Sequence, residues 1–279
     1  MDTAANELQA LRQELDALRK ENIALYRELT KQNETLSNAL LTFRTQCISA
    51  FKEVYQHQLN TNKIILLLND NCVHDNLNKY LNRLAGMQSA EFILDNMSKV
   101  KSFNNRNEYL KYVLTRLELT DSYLEFGVYK GDSINFIAST LPDKIIYGFD
   151  SFEGLPEDWR YDLQKGGFDM NGNLPQVNAN VRLIKGWFNE TLPEFVKAHP
   201  EQCAFIHIDC DLYSSTKTVL DTLKNQIGAG TVIAFDEYFN YPGWQEGEYK
   251  AFMEFIACNG LEFEYIARTN IAQVAVKIK

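Results

Sequence analysis

After Asp121 the chain alternates short apolar segments with helical ones, and this alternation constrains the fold more than any other feature. The apolar segments, which include YLEFGVY, IIYGFD, CAFIHIDC and TVIAFDEY, are rich in β-branched and aromatic residues. Strands that alternate with helices form parallel sheets covered on both faces. We therefore expect an α/β domain over residues 119–279, built on a mostly parallel sheet.

The last two apolar segments depart from this alternation. LEFEYIA and IAQVAVKIK are separated only by Arg268, Thr269 and Asn270, which predicts a tight turn and a terminal antiparallel hairpin. A dinucleotide-binding dehydrogenase has no need of an antiparallel hairpin at the end of a parallel sheet. The hairpin therefore counts against an NAD-type oxidoreductase.

The N-terminal region has a heptad pattern without Pro or Gly. Its inward positions are Leu8, Leu11, Leu15, Leu18, Asn22, Leu25, Leu29, Gln32, Leu36, Ala39 and Phe43. This spacing predicts a coiled coil over residues 1–45 and a homo-oligomer, in which the buried amide of Asn22 would fix the register. The alternative is a single amphipathic helix packed on its own domain. Apolar positions every three or four residues predict a helical connector over residues 46–118.

Charge and hydropathy exclude several classes of protein. The formal net charge is −9, so a broad cationic surface for nucleic acid is not expected. The apolar run at residues 64–68 is far shorter than the roughly 20 residues that cross a bilayer, and the N-terminus is charged rather than signal-like. The 5 cysteines form no CxxC pair, which argues against a zinc knuckle. We expect a soluble cytoplasmic protein without membrane insertion.

Two loops at predicted strand ends have the features of a nucleoside site. In EFGVYKG, Gly127 and Gly131 would let the backbone approach a ligand, and the following helix start suits a carboxylate. Tyr129 stands where a dinucleotide fingerprint has its middle glycine, which disfavours a pyrophosphate. Asp150 follows the next strand, at a position from which a carboxylate can bind both ribose hydroxyls. The alternative for Asp150 is capping of a turn.

Four carboxylates follow two later strands, Asp209 and Asp211 after one and Asp236 and Glu237 after the other. Acids gathered at one sheet edge repel each other, so the cluster implies a bound cation or an acid-base function. Hard oxygen ligands favour Mg²⁺, with Ca²⁺ or Mn²⁺ as alternatives. Asp211 could instead cap the helix that follows it.

Two further features have more than one interpretation. His207 lies within an apolar segment and is interpreted as a core histidine rather than a catalytic one. The aromatic residues of 238–244 could form a substrate lid or could simply pack in the interior.

Five segments occur together in the order typical of one family: LEFGVYKGDS, FDSFEGLP, GWFNETLP, IDCDLYSST and FDEY. From about Tyr123 to Ala275 the chain resembles the macrocin O-methyltransferase family. The resemblance implies a Rossmann-like class I methyltransferase fold. It also implies transfer of the methyl group of S-adenosylmethionine to a hydroxyl of a sugar or glycoside, so that the partner is a small-molecule or glycan acceptor.

The resemblance further implies a role for individual residues. The S-adenosylmethionine site would include Glu125, Gly127, Gly131, Asp150 and Ser151, with Gly186 and Trp187 near the adenine. Asp209, Asp236 and Glu237 would hold Mg²⁺, and Asp211 matches the general base. Cys210 stands where the family commonly has glycine, which is compatible with a metal site. An NAD-type oxidoreductase and a non-catalytic coiled-coil scaffold are the alternative functions.

Overall fold

A computed structural model describes residues 2–69 and 77–279, with side chains for residues 18–50, 52–58 and 77–279. The chain divides into two compact units, Met1–Asp75 and Asn76–Lys279. The first unit contains one helix, α1 (Asp2–Asn69).

An apolar stripe on α1 faces solvent. Leu18, Leu25, Leu29, Leu36 and Phe43 are each between 51% and 65% exposed. These residues belong to the predicted heptad seam; the side chains of Leu8, Leu11 and Leu15, and all of Cys72, lie outside the described residues. These five inward heptad positions are therefore exposed along α1.

The second unit is built on an eight-stranded sheet. Its strands are β1 (Lys101–Phe103), β2 (Ser122–Phe126), β3 (Ile146–Asp150), β4 (Val181–Lys185), β5 (Cys203–Ile208), β6 (Val232–Phe235), β7 (Phe263–Thr269) and β8 (Val274–Ile278). Their order is β1-β7-β8-β6-β5-β2-β3-β4. Strand β8 is antiparallel to β6 and β7, and the other neighbours are parallel. The predicted sheet and its terminal hairpin are confirmed.

Apolar layers cover both faces of this sheet. Leu124 and Phe126 of β2 belong to one buried cluster, and Tyr123, which precedes them, belongs to another. Because successive side chains of a strand point to opposite faces, β2 contributes to both layers.

The helices of the unit are α2 (Leu77–Asn96), α3 (Arg106–Leu114), α4 (Asp132–Thr140), α5 (Phe188–Ala198), α6 (Tyr213–Thr222) and α7 (Glu248–Asn259). Among the described helices, none is long and apolar enough to cross a membrane.

The turn of the terminal hairpin lies later than predicted. Strand β7 continues through Thr269, so the turn occupies residues 270–273 rather than 268–270. The Thr269 hydroxyl accepts the backbone N–H groups of Ile271, Ala272 and Gln273 at 3.1 to 3.2 Å. A threonine that caps the turn with its side chain can remain part of the strand, which segment lengths alone did not predict.

The predicted helical connector contains a strand. Strand β1 pairs in parallel with β7 at the sheet edge, and the backbone N–H of Asn270 donates to the carbonyl of Phe103 at 2.9 Å. Three residues are too few for strand periodicity to be visible in the sequence. Because β1 runs in the same direction as β5 and β6, Arg106 at the start of α3 reaches the edge where those strands end.

Candidate active site

A cavity of about 520 Å³ lies at the carboxyl ends of the central parallel strands. It opens where β2 lies between β3 and β5, the position at which the chain order reverses and ligands bind in doubly wound sheets. Its wall contains Gly127, Asp150, Ser151, Gly186, Trp187, Asp209, Asp211, Asp236 and Glu237. The structure thus brings these predicted site residues together, whereas Glu125 and Gly131 do not line the cavity.

The glycine loop after β2 touches the loop after β5. Gly127 has a φ of 91°, and a Cβ at this position would lie 1.8 Å from the backbone oxygen of Asp209. Only glycine tolerates both the backbone conformation and the contact. Tyr129, at the position of the missing glycine, also has a positive φ of 48°, and its ring packs edge-on against Phe168 at 5.4 Å. A bulky side chain therefore occupies the place that a dinucleotide fingerprint leaves open.

Asp150 organises this loop through backbone hydrogen bonds. Its Oδ2 accepts the N–H groups of Val128 and Tyr129, both at 2.8 Å, and its Oδ1 accepts the N–H of Phe152 at 2.7 Å. The carbonyl of Asp150 accepts the N–H of Gly186 at 3.0 Å. Asp150 therefore serves the turn-capping function that the sequence left open, while its side chain also lines the cavity.

Glu125 lies behind the cavity rather than in its wall. It is fully buried; its Oε1 accepts the Ser133 hydroxyl at 2.8 Å, and its Oε2 lies 3.1 Å from His207 Nδ1. The carboxylate is covered by α4 and β5, which differs from the direct ligand contact expected from the sequence. Gly131 forms the N-cap of α4 with a φ of 87°, so it shapes the loop from outside the cavity wall.

Arg106 bridges two of the predicted metal ligands. Its guanidinium lies 2.6 Å from Asp209 Oδ2 and 2.7 Å from Asp236 Oδ1. Burial opposes the charged guanidinium and the two carboxylates favour it, with a net rise in the pKa of Arg106. Sequence analysis missed this residue. Its only signal was an arginine in the first turn of a helix, where the helix dipole disfavours a cation.

His207 is a buried core histidine, as interpreted from the sequence, but it touches the acid cluster. It is fully buried, and its Nε2 lies 3.8 Å from Asp236 Oδ1, too far for a hydrogen bond. Burial opposes its charged form, and the carboxylates of Asp236 and Glu125 favour it, raising the pKa of His207 to about 9. Potential ligand atoms of His207, Asp209 and Asp236 lie within 4.8 Å of one another. Oxygen donors that already converge on a guanidinium have the chemistry of a divalent cation site.

The acids of the cluster differ in how far neighbouring groups compensate their charge. Burial, followed by repulsion from neighbouring carboxylates, raises the pKa of Glu237 to about 7 and the pKa of Asp211 well above its ordinary value. The same causes raise the pKa of Asp209 and of Glu248, which is fully buried behind Glu237. In Asp236 the contacts with His207 and Arg106 outweigh burial, and its pKa is lowered. Added positive charge would stabilise this cluster.

Asp211 does not cap the helix after β5. The N-cap of α6 is Leu212. Asp211 itself has a φ of 63°, in a backbone region that residues other than glycine rarely adopt. It is 8% exposed and lines the cavity. A strained backbone that aims an acid into a cavity is common at functional sites.

The segment between β3 and β4 supplies the outer wall of the cavity. Trp159 and Arg160 line it, with the Arg160 guanidinium carbon 4.3 Å from the centre of the Trp159 ring. The Arg160 Nε lies 2.9 Å from Asp162 Oδ1. Sequence analysis identified neither residue, because they lie in a long irregular segment without a periodic pattern. Tyr241 packs against Trp159 at 5.5 Å and is buried together with Trp244, so the aromatic residues of 238–244 are interior packing rather than an exposed lid.

Known proteins resemble this chain in sequence and structure. A solved calicheamicin methyltransferase, CalS11, is 21% identical, matches 74% of this chain and 94% of its own, and has a TM-score of 0.49. A tetracenomycin rhamnosyl 4'-O-methyltransferase of Streptomyces olivaceus is 32% identical over 138 residues, which cover 41% of this chain and 52% of that protein. Demethyldecarbamoylnovobiocin O-methyltransferase of Streptomyces niveus is 26% identical over 153 residues, covering 46% and 57%. The chain thus spans about half the length of these curated relatives.

The fold is Rossmann-like, and its cavity places a glycine loop and Asp150 beside an acid cluster. The family model described as macrocin-O-methyltransferase (TylF) matches residues 96–266. The chain belongs to this family, which confirms the resemblance found in the sequence. The matched region begins before β1, so it includes Arg106 as well as the five segments recognised from the sequence.

Proposed function

We propose that this protein is an S-adenosylmethionine-dependent O-methyltransferase acting on a hydroxyl of a sugar or glycoside. One observation carries the proposal: a single cavity joins the glycine loop and Asp150 to four carboxylates from two neighbouring strands. The family supports it, and both curated relatives are named as O-methyltransferases. The name of the Streptomyces olivaceus relative includes a rhamnosyl group, which favours a sugar hydroxyl as acceptor.

The nucleoside of the methyl donor would bind at the glycine-loop side of the cavity. Gly127 exposes backbone there, Ser151 and Asp150 offer polar groups, and the ring of Trp187 supplies an apolar surface for the adenine. Glu125 and Gly131 would act indirectly by fixing α4 and the loop. When bound, S-adenosylmethionine supplies an activated methyl group.

Asp209, Asp236 and Glu237 would hold a divalent cation, with Mg²⁺ as the preferred ion for carboxylate oxygens. When bound, the ion supplies positive charge that favours the deprotonated form of an acceptor hydroxyl. The support for this assignment is the convergence of Asp209 and Asp236 on one cationic group at 2.6 and 2.7 Å. Glu237 lines the same cavity.

Asp211 would accept the proton of the acceptor hydroxyl. It is the acid of the cluster held by a left-handed backbone conformation, and it lines the cavity two residues before the start of α6. A positioned general base contributes about 10² to 10⁴-fold to a rate. Trp159 and Arg160 on the outer wall would contact the acceptor.

Methyl transfer can be tested with labelled S-adenosylmethionine, Mg²⁺ and a panel of nucleotide sugars and antibiotic glycosides, with and without a chelator. Transfer that stops on chelation and returns with Mg²⁺ supports the whole proposal. Methyl transfer that continues unchanged in the chelator contradicts only the proposed requirement for a divalent cation. Titrations with S-adenosylhomocysteine and NADH separate this function from an oxidoreductase, and donor binding without transfer to any acceptor would favour a non-catalytic scaffold.

We also propose that α1 assembles the protein into a homo-oligomer through its apolar stripe. The support is the heptad spacing and the exposure of Leu29 and Leu36. The double variant Leu29→Lys, Leu36→Lys should shift sedimentation to the monomer. The matched control Thr30→Lys, Ser37→Lys carries the same added charge on neighbouring outward positions. A monomeric parent protein, or an equal shift in the control, would contradict a coiled-coil seam.

A further inference from the structure

The Arg106 guanidinium occupies the position between the two acids that a metal would use. It reaches Asp209 Oδ2 and Asp236 Oδ1 through different nitrogens at 2.6 and 2.7 Å. Mg²⁺ binds oxygen at about 2.0 to 2.1 Å and carries two positive charges. An ion placed between the same two oxygens would overlap the guanidinium and repel it. The two cations therefore exclude each other at these carboxylates.

The backbone of this segment is anchored, whereas the side chain has room to move. The Asn105 side chain caps α3 by accepting the N–H groups of Asn107 and Glu108 at 2.8 and 3.1 Å. The Asn270 amide also donates to Asn104 Oδ1 at 2.6 Å. The Arg106 side chain is 34% exposed and borders the cavity. We expect rotation of its own side-chain bonds to be enough to move it away from the acids, without a shift of α3.

A cation placed on these acids relieves their mutual repulsion. Four carboxylates line the cavity, and Glu248 lies buried behind them. Arg106 is the cationic side chain that the structure places directly on two of these acids. If it left without replacement, the remaining charges would repel in a partly desolvated site.

We infer that Arg106 is an internal cation that holds Asp209 and Asp236 in the metal-free protein and is displaced when a divalent metal binds. This inference rests on the metal site of the proposed function. Arg106 is a positioning residue in this scheme, because it acts through the two acids. Metal affinity is thereby reduced by the contacts that must be broken, and metal loss does not leave the two acids unpaired.

Direct metal binding tests the inference without donor or acceptor. The Kd of Mn²⁺ is measured by electron paramagnetic resonance for the parent protein, Arg106→Gln and Arg160→Gln. Arg160 lines the same cavity but pairs with Asp162, so its variant measures the general effect of removing one positive charge. We expect Arg106→Gln to bind Mn²⁺ at least tenfold more tightly than the parent, and Arg160→Gln to differ from the parent by less than about threefold. The melting temperature of metal-free Arg106→Gln should fall and recover with Mn²⁺.

Each alternative result has a defined meaning. If Arg106→Gln binds Mn²⁺ no more tightly than Arg160→Gln, the competition between Arg106 and the metal is wrong, but the proposed metal site is not contradicted. If neither the parent nor Arg106→Gln binds at millimolar Mn²⁺, both the inference and the metal part of the proposed function are wrong. A second measurement on the parent covers an unstable variant: ¹⁵N-arginine labelling should show an Arg106 Nε–H resonance that shifts and exchanges faster with solvent on addition of Mg²⁺. An unchanged resonance at saturating Mg²⁺ would overturn the inference.

Discussion

The two sides of the cavity stabilise their carboxylates by different means. On the side where the methyl donor would bind, called the donor side and formed by Gly127, Asp150 and Ser151, Asp150 accepts three backbone N–H groups from its own and the neighbouring loop. On the side that holds the four carboxylates, called the acid side, Asp209 and Asp236 pair with the side chain of Arg106, and Glu237 has a raised pKa. Backbone donors are fixed by the fold, whereas a side-chain cation can be exchanged. The donor side is therefore complete in the folded chain, and the acid side is suited to exchanging its cation.

The largest expected effect separates chemistry from donor binding. Asp211→Asn should lower turnover about 10³-fold, within the range of a lost general base, and leave the Kd for S-adenosylhomocysteine within about twofold. Single-turnover assays with labelled donor and calorimetric titrations measure the two quantities. Asp162→Asn is the matched control, because it removes an acid that pairs with Arg160 outside the cluster. Near-normal turnover of Asp211→Asn would require a different base.

The second-largest expected effect concerns the close approach of Gly127 to the Asp209 carbonyl, which joins the donor side to the acid side. Gly127→Ala should destabilise the domain by about 3 kcal/mol or more, because its Cβ would meet the Asp209 carbonyl and φ would be strained. Gly243→Ala also has a positive φ, but open space for a Cβ, and should cost about 1 kcal/mol. Urea unfolding of both variants measures the difference. Equal losses would mean that close approach at Gly127 contributes nothing.

The site residues that could be predicted most directly are those that lie at the ends of parallel strands. Gly127, Asp150, Asp209 and Asp236 were predicted from that rule, and they line one cavity because parallel strands end at one edge. Glu125, which the family resemblance implied, lies within β2 rather than after it, so its side chain is covered by α4 and β5.

Residues from irregular or very short elements could not be predicted in the same way. Arg106 depends on β1, whose three residues become a strand only because β7 is available as a partner. Trp159 and Arg160 lie in a segment whose path is set by long-range packing, such as the contact of Trp159 with Tyr241. Local patterns contain no information about such pairings.

Loss of Asp150 should affect only the donor side. Asp150→Ala would leave the N–H groups of Val128, Tyr129 and Phe152 without their acceptor, and each unpaired buried donor costs about 1 to 3 kcal/mol. We expect the Kd for S-adenosylhomocysteine to rise at least 30-fold and the Kd for Mn²⁺ to stay within about threefold. Ser151→Ala is the milder control in the same loop. A matching loss of Mn²⁺ affinity would show that the two sides are not independent.

The smallest effect is a pH dependence confined to the acid side. The pKa of Glu237 is raised to about 7 and that of Asp209 is also raised, in both cases chiefly by burial. Raised carboxyl pKa values mean that protons occupy these oxygens below neutral pH, so a metal must displace them there. Mn²⁺ affinity should therefore fall about tenfold between pH 7 and pH 6 and change little between pH 8 and pH 9. Affinity for S-adenosylhomocysteine should stay flat over the same range, because Glu237 and Asp209 belong to the acid side of the cavity rather than to the donor side. Parallel titrations at these four pH values measure both, and a Mn²⁺ affinity independent of pH would mean that the acids already bind the ion without losing protons.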